Sequence, residues 1–206
     1  MFCTYCGNQL EQGDRFCSRC GAPTQTVAAP VYDPDPISIE FPTETLWEDP
    51  AMQGYLRQVE QRMGQSNWVP QLNAYAFYDE EFRVKWAATK MKRFSFVTCM
   101  ESVDLPQVRA YSAACMDFAL KNYPGLSRGM QSGVASFAVI VSRNISPLAI
   151  QEVMNTPPSH FAAFEVPVLV DLGLGRIYHI NKTPVWGALL WKDMRTYADM
   201  KFMPMR

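Results

Sequence analysis

Apolar residues at Met52, Leu56, Val59 and Met63 recur at helical spacing directly behind Asp49-Pro50, and this pattern predicts the first helix of the main body. Asp49 reads as its N-cap and Pro50 as its first helical residue, where a missing N–H costs nothing, and Gly64 ends it. After a polar break the period changes to two. Phe82, Val84 and Trp86 alternate with Arg83 and Lys85, and Arg93 to Met100 is rich in aromatic and β-branched residues, so two strands are expected there. Asp104-Leu105-Pro106-Gln107 has the form of a capping box. It leads into a stripe of Val108, Tyr111, Cys115 and Phe118, a second helix running to about Tyr123 and stopped by Pro124-Gly125.

The remaining pattern repeats this alternation of periods. Gly133 to Ser142 is a short apolar run, Ser146-Pro147 opens a brief helix through Met154, and Phe164 to Asp171 reads as a central strand covered on both faces. The Gly173-Leu174-Gly175 turn joins that strand to Arg176–Asn181 as a hairpin. Trp186 to about Phe202 closes the body as a helix, capped by Thr183-Pro184, with Leu190, Met194 and Tyr197 inward. From Arg93 onward the order is strand, helix, strand, helix, strand, strand, helix, which predicts an α/β fold with a mixed sheet flanked by helices. That order resembles the thioredoxin-like fold, and Pro167 stands where the proline of that family would. The resemblance stops at the chemistry: a thioredoxin-like enzyme would carry Cys-x-x-Cys after the first strand, whereas this chain has Cys99-Met100-Glu101-Ser102. A shared element order carries no oxidoreductase function with it.

Ahead of this body the periodicity disappears. Prolines at 23, 30, 34, 36, 42 and 50 mark residues 23–50 as a semi-rigid linker, within which Ile37-Ser38-Ile39-Glu40-Phe41 alternates as an added edge strand would. Residues 1–22 hold Phe-Cys-x-x-Cys-Gly twice, at Phe2–Gly7 and Phe16–Gly21. Two thiols separated by two residues converge from a tight knuckle, and two knuckles complete the tetrahedron preferred by Zn²⁺, with Zn–S about 2.3 Å. Four sulfurs leave no position open for substrate or water, so a closed, structural site is expected.

Met1 to Ala22 resembles the short N-terminal zinc-ribbon domain family found before unrelated domains. The resemblance implies that Cys3, Cys6, Cys17 and Cys20 bind one structural zinc, with a small hairpin through Gln9–Phe16 turning near Gln12-Gly13-Asp14. So few residues cannot bury enough apolar surface to offset chain entropy, and the metal must supply the fold. Arg15 and Arg19 are balanced by Glu11 and Asp14, and four thiolates on a divalent metal add about two negative charges. An acidic module points to protein contact ahead of nucleic-acid contact.

Composition narrows the rest. The 206 residues are 48% apolar and 13% aromatic, enough for a small ribbon and one ordinary domain over residues 51–206. A net charge of −1 offers no overall positive field for nucleic acid or an anionic membrane. No apolar run spans a bilayer, and the first residues are metal-ligand candidates in place of a signal peptide, so a cytoplasmic location is expected. Six cysteines in this setting read as four ligands plus two small buried core residues, Cys99 and Cys115.

Arg83, Lys85, Lys90, Lys92 and Arg93, interleaved with Phe82, Trp86, Phe94 and Phe96, form the one concentrated basic stretch. They are candidate anion or nucleic-acid contacts, since cations meet phosphates and rings stack on bases, but a half-buried strand with solvated charges has the same alternation. A nuclease of the Asp, then Glu-x-Lys type would need Asp171 to be joined by a second half that the chain does not supply. His160 and His179 lie in a loop and a hairpin, and no nucleophile-elbow, phosphate-loop or dinucleotide fingerprint is present. The leading expectation is a zinc-binding, non-enzymatic interaction or scaffold protein whose partner is another protein or a second copy. A nucleic-acid-associated protein using residues 82–96 comes second, and an enzyme of unrecognised type in the α/β domain third.

Overall fold

The computed structural model describes residues 44–86, 89–122, 132–157, 163–184 and 188–205. The expectations for the ribbon and its ligands Cys3, Cys6, Cys17 and Cys20, for the linker before residue 44, and for Pro124-Gly125, His160 and Trp186-Gly187 lie outside them.

A 3-10 turn over Glu44–Glu48 leads into α1 (Pro50–Met63). There follow β1 (Asn67–Val69), β2 (Ala74–Arg83), β3 (Thr89–Cys99), α2 (Leu105–Lys121), β4 (Ser132–Ser142), α3 (Pro147–Met154), β5 (Ala163–Asp171), β6 (Arg176–Tyr178) and α4 (Ala188–Phe202). The six strands lie side by side in chain order. The pairs β1–β2, β2–β3 and β5–β6 are antiparallel, whereas β3–β4 and β4–β5 are parallel and are each joined by a crossover helix. The expected mixed sheet flanked by helices is therefore present, with strands and helices from β3 onward in the anticipated order.

Side-chain period two divides the core between the two faces of this sheet. One face buries Phe77, Val97, Phe137, Val139, Val166 and Val168 beneath α1 and α4, which contribute Tyr55, Val59, Trp191, Met194, Tyr197 and Phe202. The other buries Phe94, Phe96, Ala138, Ile140 and Leu169 beneath α2 and α3 through Val108, Tyr111, Cys115 and Val153. Three layers result. The packed body begins ahead of Pro50: Trp47 is buried in the first of these cores and stands edge-on to Tyr75 at 5.0 Å between ring centroids.

Helix starts follow the capping chemistry. The Asp49 carboxylate accepts from the Ala51 N–H at 2.7 Å, and Asp104 with Gln107 closes a capping box. Ser146 serves two helices, since its hydroxyl accepts from the Ala149 N–H at 3.1 Å to cap α3 and donates to Asp104, the cap of α2, at 2.6 Å. Ser146→Ala is therefore expected to cost about 1–2 kcal/mol, read as a lower urea midpoint with an unchanged slope; no shift would show that neither contact contributes.

One expectation needs correction. The strand expected at Phe82–Trp86 lies earlier, as β2, and Val84–Trp86 is a 3-10 turn. The polar break hides both β1 and most of β2, and in β2 Asp79, Glu80 and Glu81 interrupt the hydrophobic signal with charges that Arg93 and Lys90 of the neighbouring strand help to neutralise. Pro167 sits inside β5 opposite Ala138, and β6 pairs only with Leu169 to Asp171, so the proline lies where the outer side of β5 is uncovered by β6. Beyond β5, the Asp171 carboxylate accepts from the Leu174 N–H at 2.8 Å, and Gly175 adopts the left-handed φ of 65° that turns the chain into β6.

Candidate interaction surface

The antiparallel register of β2 and β3 decides the fate of the basic stretch. It places Asp79 opposite Arg93, Glu80 opposite Lys92 and Phe82 opposite Lys90. Arg93 bonds to Asp79 and reaches Glu81 at 2.8 Å, Lys90 pairs with Glu80, and Arg83 pairs with Glu81 and approaches Asp193 of α4 at 3.4 Å. Lys92 is buried on the α2 side and Lys85 lies in the 3-10 turn. Hydrogen bonding to Lys90 holds the Glu80 carboxyl below its ordinary range. Burial would raise the Glu81 carboxyl, but its hydrogen bond to Arg83 and the charge of Arg93 outweigh that and lower it. Arg83, Lys90 and Arg93 are thus held by carboxylates.

This network also ties α4 to the sheet. The Tyr197 hydroxyl donates to Asp79 at 2.7 Å, with the Arg93 guanidinium 4.3 Å from the Tyr197 ring centroid. The Trp86 indole N–H donates to Asp193 at 2.6 Å, and Arg83 lies 5.0 Å from the Trp86 ring centroid. Burial, reinforced by the charge of Asp79, pushes the Tyr197 phenol far above its usual value, so it remains a donor at physiological pH. Asp79, Glu81 and Asp193 escaped the sequence reading. The one signal for the first two was an acidic run a hairpin's length before a basic one.

A second feature lies across the body. A cleft of about 510 Å³ is bounded by Ala51, Gly54, Tyr55 and Gln58 of α1, by the Leu172–Gly175 turn, and by Pro204 and Met205. The C-terminal segment forms one wall because it is strapped along α1. The Tyr55 hydroxyl donates to the Phe202 carbonyl at 2.8 Å, Arg62 donates to the Met203 carbonyl at 2.6 Å, and the Met205 N–H donates to Gln58 at 2.8 Å. These bonds dock the C-terminal segment on its own body. Leu174 and Met205 remain more than half exposed at the rim, with Met203 and Met200 nearby in the chain. Among the described residues that line the cleft Tyr55 is the one ionisable side chain, and burial pushes its phenol well up.

The other reactive side chains are quiet. Cys99 is buried with its thiol pushed up to about 12, and burial drives the Cys115 thiol well above its ordinary value, so neither supplies a thiolate near neutral pH. His179 sits between the Ile180 carbonyl and Asp199, each at 3.0 Å. Among the described residues no group of three or more His, Cys, Asp or Glu side chains could hold a metal, and no helix is long and apolar enough to cross a membrane.

The family model of the zinc-ribbon domain matches residues 2–24, a span that contains Cys3, Cys6, Cys17 and Cys20. No curated protein matches the chain. No solved structure matches it.

Proposed function

We propose that this is a zinc-binding, non-enzymatic interaction protein of the cytoplasm, built as a ribbon over residues 1–22, a proline-rich linker and an α/β body. The observation that carries this reading is the zinc-ribbon match at residues 2–24, which coincides with the two Cys-x-x-Cys pairs. Four thiolate donors fit one zinc with no open position, so Cys3, Cys6, Cys17 and Cys20 hold a structural ion. Zinc supplies fold stability there, and the side chains it organises supply contact surface.

The body offers surface of a matching kind. Its cleft is lined by Ala, Gly, Leu, Pro and Met with two polar side chains, both already bonded to the C-terminal segment, so it favours apolar contact over acid–base chemistry. The carboxylate partners of Arg83, Lys90 and Arg93 weaken the nucleic-acid reading, because a phosphate would have to displace them. The partner is another protein or a second copy of this chain.

Affinity capture with the full chain, beside Leu174→Asp and Cys17→Ser variants, tests this reading. One stoichiometric protein partner, or the untagged chain itself, is expected with the unaltered protein and is lost from at least one variant. Recovery of nucleic acid in its place, or identical recoveries from all three chains, would overturn it.

A further inference from the structure

Gly54 lies inside α1 and lines the cleft. A glycine within a helix weakens it, and the backbone does not call for one here, because Gly54 is not among the residues with positive φ. Packing does not call for one either. Among the described residues, leaving aside the neighbouring backbone of α1, the one atom within 4 Å of the place a Cβ would take is Nη2 of Arg57, at 4.0 Å. What the glycine does is leave a hollow in the cleft wall.

Side chains on a helix lean toward its N-terminus, so the residues three and four positions further on cover the same patch. For Gly54 these are Arg57 and Gln58. Gln58 presents its carbonyl to the Met205 N–H at 2.8 Å, which leaves its NH2 group without a partner among the described residues. Arg57 is exposed and has neither a hydrogen bond nor an ion pair among them, whereas Arg62, one turn on, is committed to the Lys201 and Met203 carbonyls. No acid stands among the described residues that line the cleft. The Asp171 carboxylate, beneath the turn, is held by the Leu174 N–H and is not part of the lining.

We infer that the cleft takes an acidic, apolar segment of a partner protein, whose carboxylate sits over Gly54 between the Arg57 guanidinium and the Gln58 amide. The inference rests on the reading of this protein as an interaction protein and names the chemistry of its partner. Both groups at the hollow are donors and one is a cation, so the complement is an anion with acceptor oxygens, and a guanidinium matches a carboxylate in shape as well as charge. Apolar side chains beside that carboxylate meet Leu174 and Met205, which are more than half exposed at the rim. The apolar contact supplies affinity and the charge supplies selection. A lysine at the same place would set like charges together.

Short random peptides displayed on phage and selected on the immobilised full chain test this. Enriched peptides are expected to carry Asp or Glu beside apolar residues. A synthetic peptide of that consensus should lose on the order of tenfold in Kd against Arg57→Glu, and as much against Gly54→Leu, which fills the hollow with a good helix former. Unchanged melting of both variants shows that they are folded. Replacing the peptide's carboxylate by lysine should restore binding to the Arg57→Glu chain. Enriched peptides without a carboxylate, or acidic ones that bind Arg57→Glu as tightly as the unaltered chain, would overturn the inference. If such peptides still needed Leu174, the interaction reading would stand without it. No enrichment at all would also overturn the inference, and affinity capture would then decide that reading separately.

Discussion

Cys17→Ser is expected to empty the ribbon of metal: elemental analysis should fall from one zinc per chain to nearly none, while the α/β body keeps its melting temperature. The apparent free energy of a structural zinc is on the order of 10 kcal/mol, and a module of about twenty residues has no core large enough to replace it. A serine hydroxyl in place of a thiolate removes a soft, charged donor from a tetrahedral set that relies on all four. The body holds its own two-sided core, so the loss should stay local. A chelator should reproduce the effect, and acid should weaken zinc binding because the ligands must be deprotonated. Full zinc content in the Cys17→Ser chain would contradict the assignment of that residue.

The largest effect in the body is expected at Phe137. Its side chain is fully buried at the middle of β4, with ring centroids 4.7 Å from Tyr197 and 5.9 Å from Phe202. Phe137→Ala removes the ring against which α4 is laid and opens a cavity that the surrounding strands cannot collapse, at a cost of about 3–5 kcal/mol. Because typical domain stability is about 5–15 kcal/mol, this would forfeit a large share of it. Chemical denaturation with intrinsic fluorescence would show the shift, and a loss below about 1 kcal/mol would mean that α4 is not anchored there.

Elements whose own sequence carries both a cap and an apolar period were legible. Asp49-Pro50 and Asp104 to Gln107 fixed the starts of α1 and α2, and the unbroken apolar runs of β4 and β5 left one reading. Strand β2 failed because much of its logic is cross-strand: Asp79 and Glu81 share Arg93 of β3 as a partner, and a linear scan cannot see that. The same blindness made Arg83, Lys90 and Arg93 look like available cations. Register converts a basic stretch into half of a neutralised ladder. The cleft was illegible for a different reason, since its walls come from α1, the turn after β5 and the C-terminal segment, and only the tail's apolar character hinted at it.

Strands laid down in chain order have a consequence for synthesis on the ribosome. Each strand from β2 to β6 finds its neighbour already made, so the sheet can grow by addition as the chain emerges. The face beneath α2 and α3 can close as soon as β5 is available, but the opposite face waits for α4, the last helix of the chain. Until then Phe137, Val139, Val166 and Val168 lie on a sheet face that α1 covers only in part. A stalled or truncated product lacking α4 would expose it, making such fragments substrates for chaperones or seeds of aggregation.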